Sequence, residues 1–96
     1  MMVLITYDVN LEDSSGQKRL RHVAKACENV GQRVQKSVFE CLLDPEQLVI
    51  FKNRLLDIID SEKDSLRFYY LGKNWGHRVE HFGVKPKYEQ EGTIIL

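Results

Sequence analysis

Asp8 is the residue placed best for chemistry. It ends the run Val3-Leu4-Ile5-Thr6-Tyr7, whose apolar and β-branched side chains read as a strand, so its carboxylate stands where a sheet stops and a loop begins. A carboxylate in that position can bind Mg²⁺, a hard cation that takes oxygen ligands and keeps several waters. One carboxylate makes a poor site. Two of them, brought together by a two-fold axis, could hold a metal that activates water against a phosphodiester. The plain structural alternative is that Asp8 accepts hydrogen bonds from backbone amides of the loop that follows.

Basic residues form the second constellation. At 100° per residue, Lys18, Arg21, His22 and Lys25 lie opposite the apolar stripe Leu20-Val23-Ala24-Cys27, with Arg19 at its flank. Such a face can neutralise backbone phosphates regardless of base sequence, and it can equally be an ordinary solvated helix face. Other candidates are weaker. His77 and His81 are four apart, a metal spacing on a helix, but they fall in HRVEHFGV, which reads as a strand with no cysteine nearby. Phe68, Tyr69 and Tyr70 could stack on bases, yet no RNP-type sequence accompanies them, and packing accounts for them more simply. Cys27 and Cys41 fit no metal spacing and read as free thiols of a reducing cytoplasm.

The elements that must position these residues follow from pattern. Residues 2–9 are apolar on both alternating sets, Val3-Ile5-Tyr7-Val9 and Met2-Leu4-Thr6, so this strand wants cover on both faces. Asn10 to Gly16 is turn chemistry. A helix starts at Gln17, with Ser14 or Ser15 to cap it and Gly31 as the left-handed residue past its end. Residues 33–43 read as extended, but no single register buries all of their apolar side chains, so a bulge or tight turn is expected near Ser37. Asp44-Pro45-Glu46-Gln47 combines a cap, a proline at the first helical position and a capping-box glutamine, and Leu48, Phe51, Leu55, Ile58 and Ile59 make the buried stripe of the helix that follows. Strands are expected at 66–71 and in 77–84, after a turn at 73–76.

This order predicts an α+β fold: a ferredoxin-like βαββαβ sandwich with both helices on one sheet face. The opposite face is left bare, and a second copy of the chain is the simplest cover for it. Residues 1–96 read as one domain, with a core at 1–84, a polar linker at 85–92 and an apolar tail, Thr93-Ile94-Ile95-Leu96, that should add to a sheet edge, its own or its partner's.

Bulk composition limits the rest. Ninety-six residues leave no room for a separate catalytic domain, and 43% hydrophobic with 29% charged residues is globular composition. No apolar run is long enough for a membrane span, and the start of the chain turns acidic too soon for a signal peptide, so a cytoplasmic protein is expected. Net charge is zero, but its distribution is not even. Lys18, Arg19, Arg21, Lys25, Arg33 and Lys36 face only Glu28 between residues 17 and 36, whereas acids dominate residues 40–64.

ITYDVN at 5–10, KRLRHVAKACENVGQRVQKSVFEC at 18–41 and LRFYYLG at 66–72 together resemble the CRISPR-associated protein 2 family, the small subunit of the CRISPR adaptation machinery. The sharpest parts of the match are the hydrophobic-Tyr-Asp strand end and the Arg33-x-Gln35-x-Ser37-Val38-Phe39 segment. The resemblance implies a ferredoxin-like homodimer with paired Asp8 residues at its interface, described as a Mg²⁺-dependent endonuclease on RNA or duplex DNA, with Mn²⁺ as a substitute. It also implies a CRISPR-associated integrase as partner in spacer acquisition. Carried over residue by residue, Asp8 is the catalytic and metal-binding carboxylate, Arg19, Arg21, Arg33 and Arg78 are nucleic-acid contacts, and Tyr7, Ser37 and Phe39 shape the site. A non-catalytic scaffold that grips duplex DNA and bridges integrase subunits is the alternative, and a regulatory dimer for a small metabolite is the third reading.

Overall fold

A computed structural model describes residues 1–71 and 79–84. The proposed turn at 73–76, His77, Arg78, the linker and the apolar tail lie outside the described residues. Chain order is β1 (Met2–Asp8), α1 (Gly16–Glu28), β2 (Gly31–Gln35), β3 (Val38–Leu42), α2 (Pro45–Ile58), β4 (Ser65–Leu71) and β5 (Val79–Gly83). The sheet runs β2-β3-β1-β4-β5, with every neighbouring pair antiparallel. Each of the two strand–helix–strand units therefore straddles one strand of the other, which is the ferredoxin-like arrangement expected from the order of elements.

Both helices pack on one face. Val3, Ile5 and Tyr7 of β1 point to them, together with Phe39 and Cys41 of β3 and Leu66, Phe68 and Tyr70 of β4, and all are buried. Leu20, Val23, Ala24 and Cys27 from α1 and Leu48, Phe51 and Leu55 from α2 close the layer. Removing a Phe or Leu of this kind from water contributes roughly 1.5–3 kcal/mol each, so the two stripes hold the helices to the sheet. Phe68 also meets Phe82 of β5 edge-on, with ring centroids 5.9 Å apart. Phe68 and Tyr70 are thus core residues; Tyr69 alone of the three aromatics faces the other way.

The α2 start is built as its sequence dictates. Asp44 Oδ1 accepts from the Gln47 amide at 2.8 Å and Gln47 Oε1 accepts from the Asp44 amide at 3.0 Å. At α1 the cap differs from expectation. Ser15 occupies the capping position but its hydroxyl makes no capping bond; it serves Asp13 and Arg19 instead. Gly31 is not left-handed either. It opens β2 with negative φ, and what requires glycine there is space, because a Cβ would fall 1.9 Å from the Glu40 carbonyl oxygen. The 33–43 stretch resolves into a β2–β3 hairpin turning at Lys36-Ser37, with a register shift between Arg33 and Gln35.

Among the described residues no helix packs on the second sheet face. Leu42, Leu71 and Val79 are 64%, 39% and 37% exposed on it, beside half-buried Met2, Leu4, Thr6 and Tyr69. The two-sided apolarity of β1 is realised, with one side covered by helices and the other without cover from the described residues.

Candidate functional site

Asp8 is exposed at the last position of β1, opposite Ser65 of β4. It belongs to the open sheet face, on the rim of a depression of about 170 Å³ lined by Thr6, Tyr7, Asp8, Ser37, Ser65, Arg67 and Tyr69. One carboxylate, several hydroxyls and one guanidinium therefore converge. All of the uncharged donors are hard oxygens, suited to Mg²⁺ and its waters. Among the described residues no three His, Cys, Asp or Glu side chains gather as a ready metal site. Among the described residues the depression thus has one anionic ligand, and its donor set would fit a divalent cation if a second copy brought a second Asp8.

What holds Asp8 in place lies on the opposite side of its own strand. Tyr7 points into the core and donates its hydroxyl to the buried carboxylate of Asp64. That carboxylate also accepts from the Asn10 amide at 3.1 Å, from Arg19 Nε at 2.7 Å and Nη2 at 3.0 Å, and from the Asp60 amide at 3.0 Å. It therefore ties the β1 end, the following loop, α1 and the α2–β4 connection to one point. Burial pushes the Asp64 carboxyl up, but the bonds from Arg19, Tyr7, Asp60 and Asn10 outweigh it and hold the group below the usual carboxylate range. Tyr7 responds in the opposite sense, raised by burial and by the Asp64 charge, so its proton stays on the bridge. Sequence reasoning missed Asp64, which looks like one more acid in the polar run 60–64; its position just before an apolar strand, in reach of a flank arginine, was the available signal.

This network assigns Arg19 differently from the sequence reading. Its guanidinium also donates to Asp13 at 2.9 Å and to the Ser15 hydroxyl at 2.6 Å, and the side chain is only 11% exposed. A cation so engaged by two carboxylates is a bolt of the fold, and Arg19 leaves the set of phosphate-binding candidates. Lys63 adds to the same cluster, reaching Asp13 at 3.1 Å. Asp13 is pulled below the ordinary carboxylate range, first by Arg19.

Arg33 has a local partner as well. Its Nε and Nη2 donate to the Lys36 carbonyl at 2.9 and 2.6 Å, and its guanidinium lies 5.7 Å from the centre of the Phe39 ring. It fastens the hairpin turn whose Ser37 carbonyl accepts from the Tyr7 amide at 2.9 Å and whose Ser37 lines the Asp8 depression. Phe39 is fully buried under β2 and supports that turn from the core. Tyr7, Ser37 and Phe39 are thus all brought to the Asp8 end of the sheet. Arg21 is elsewhere, exposed on the outer face of α1 with Lys18, His22 and Lys25. Arg78 lies outside the described residues.

Comparisons with known proteins agree on one relationship. The family model described as CRISPR associated protein Cas2 matches residues 1–79. The chain is similar over its whole length to the CRISPR-associated endoribonuclease Cas2 of Nitratidesulfovibrio vulgaris, at 62% identity and 94% of that protein. It is 57% identical to the CRISPR-associated endonuclease Cas2 of Halalkalibacterium halodurans, covering all of both. The crystal structure of Streptococcus pyogenes Cas2 superimposes with a TM-score of 0.73 at 63% identity, covering 86% of this chain and all of that one.

Proposed function

From the premise that the chain belongs to the CRISPR associated protein Cas2 family, we propose that it is a homodimeric, Mg²⁺-dependent endonuclease of RNA or duplex DNA that takes part in spacer acquisition beside the CRISPR integrase. The observation that carries this reading is the placement of Asp8: exposed, at a strand end, in a hydroxyl-lined depression on a sheet face that no described helix covers. The exposed Leu42, Leu71 and Val79 give a second copy an apolar surface to bury on that face. A two-fold axis there would bring the Asp8 carboxylates of both copies toward one another. The two Asp8 carboxylates would hold Mg²⁺ or Mn²⁺, which would supply an activated water and an electrophile for the phosphodiester. The chain's own task is to hold Asp8 in place, through the Tyr7–Asp64–Arg19 network behind its strand and the Arg33-fastened hairpin beside it.

A scaffold reading is favoured by one observation of its own. The outer face of α1 presents Lys18, Arg21, His22 and Lys25 to solvent, far more than a catalytic depression needs, and would grip duplex phosphates irrespective of cleavage. Asp8→Asn separates the two. It keeps size and one oxygen but removes the charge, so an enzyme loses cleavage and most Mn²⁺ affinity while keeping fold, dimer and nucleic-acid binding. Cleavage at the wild-type rate by this variant would overturn the catalytic assignment. Integration that persists with the integrase while cleavage is lost would make the scaffold role the cellular one.

A further inference from the structure

Ser65 is the direct cross-strand partner of Asp8. In the antiparallel pairing of β1 with β4 Asp8 stands opposite Ser65, whereas Thr6, the preceding β1 residue on the same face, stands opposite Arg67 and Val38. Directly opposed residues send their side chains to one face with Cβ atoms roughly 4.5–5.5 Å apart. Asp8 and Ser65 therefore rise side by side, and both line the depression. A hydroxyl turned toward the carboxylate, or one water between the two, closes a gap of that size.

The Ser65 backbone has little freedom. The side chain of its predecessor, Asp64, accepts from the Tyr7 hydroxyl, from Arg19 and from the Asn10 and Asp60 amides. The Asp64 amide donates to the Asp60 carbonyl at 2.7 Å, and the Asp64 carbonyl accepts from the Val84 amide at 2.9 Å. On the β5 side Ser65 is paired with Gly83, which places no side chain over it. The half-buried Ser65 hydroxyl is thus carried on fixed backbone and turns only about its own Cα–Cβ bond.

Among the described residues neither the Asp8 carboxylate nor the Ser65 hydroxyl has a hydrogen-bond or ion-pair partner. Carboxylates that bind cations are in general themselves hydrogen-bonded, which fixes the orientation the cation requires. A serine hydroxyl has one hydrogen to donate and two lone pairs with which to accept, so it can serve a carboxylate and a water at once. Being neutral, it does this without adding to the repulsion between Asp8 and an anionic phosphodiester. Resting on the Asp8 reading above, we propose that Ser65 is a positioning residue of the Asp8 cation site, its hydroxyl donating to the Asp8 carboxylate and accepting from a water that Mg²⁺ or Mn²⁺ retains.

Mn²⁺ titration of the full chain, read from the paramagnetic resonance signal of the free ion, tests this without a cleavage assay. Ser65→Thr and Ser65→Val have nearly the same shape and the same preference for strands, so a difference between them reports the hydroxyl and not the packing. The Thr variant should bind Mn²⁺ as wild type does. The Val variant and Ser65→Ala should bind it about 10-fold more weakly, the lower end of what losing the hydrogen-bond partner of a ligand costs. Thermal midpoints of the Thr and Val variants should agree with each other. Equal Mn²⁺ affinity of those two variants, at whatever level, overturns the proposal. Asp8→Asn then separates the two readings. If that variant has lost most of its affinity while Thr and Val agree, the Asp8 site stands and only Ser65 leaves it. If it binds like wild type, or wild type itself binds no Mn²⁺, the Asp8 reading fails and the proposal falls with it.

Discussion

Asp64→Asn should be among the costliest isosteric substitutions in this chain. Asp64 is fully buried, and its two oxygens divide the load: Oδ2 accepts from Tyr7, Arg19 Nε and the Asp60 amide, Oδ1 from the Asn10 amide and Arg19 Nη2. An amide must turn its NH₂ toward one of these sets, and the gentler choice, Oδ1, still leaves two donors facing a donor. Each hydrogen bond to a charged group contributes about 1.5–3 kcal/mol, which puts the loss near 3–5 kcal/mol. Breaking a buried ion pair from one side costs about the same. In a domain of this size such a change lowers the melting temperature by about 12 °C or more. The pH dependence has a definite sign. Because the folded-state carboxyl is held below its usual range, its stabilisation is fully present above the unfolded value, roughly 3.9, and is lost as pH falls through the folded value. Urea unfolding of wild type and variant, at equal protomer concentration, should therefore show a constant gap between about pH 5 and pH 8 that narrows below about pH 4. A gap under about 1 kcal/mol at neutral pH, or one that widens in acid, would refute the tethering role of Asp64.

Three further outcomes are expected. Changing Arg21 and Lys25 together to alanine should weaken all duplexes alike and reduce the slope of log K against log salt by about 1.8, near 0.9 per lost phosphate contact; an unchanged slope would remove α1 from the interface. Leu42→Asp places a charge on the open sheet face, where Leu42 pairs with Met2, and light scattering at micromolar concentration should then show monomers, whereas an intact dimer would exclude that face. Gly31→Ala should destabilise by about 1–3 kcal/mol through overpacking, since its Cβ would meet the Glu40 oxygen and Cys41 Cα; a thermal midpoint equal to wild type would show that the hairpin yields more readily than its geometry indicates.

Locally encoded features were legible without coordinates. The Asp44-Pro45-Gln47 start of α2 depends on groups three residues apart, the two-faced β1 on alternation, and the strand-end position of Asp8 on where that alternation stops, so each is written in a short window. The ferredoxin-like order followed from the sequence of such windows. Partnerships between distant segments were not legible. Arg19 read as a phosphate contact because its residue type and helix position suit one, and only the meeting of α1 with the α2–β4 connection, 45 residues away, gave it to Asp64. Arg67 sits within an apolar run whose pattern predicts burial, but which face it takes and what it meets depend on the register of β4 against β1 and β5. Gly31 invited a left-handed cap, and the close approach of β3 gave it a different necessity. A helix or strand pattern constrains neighbours along the chain, whereas the carboxylate that neutralises a given guanidinium is chosen by packing, since a buried charge must find its counter-charge wherever the fold brings one within bonding distance.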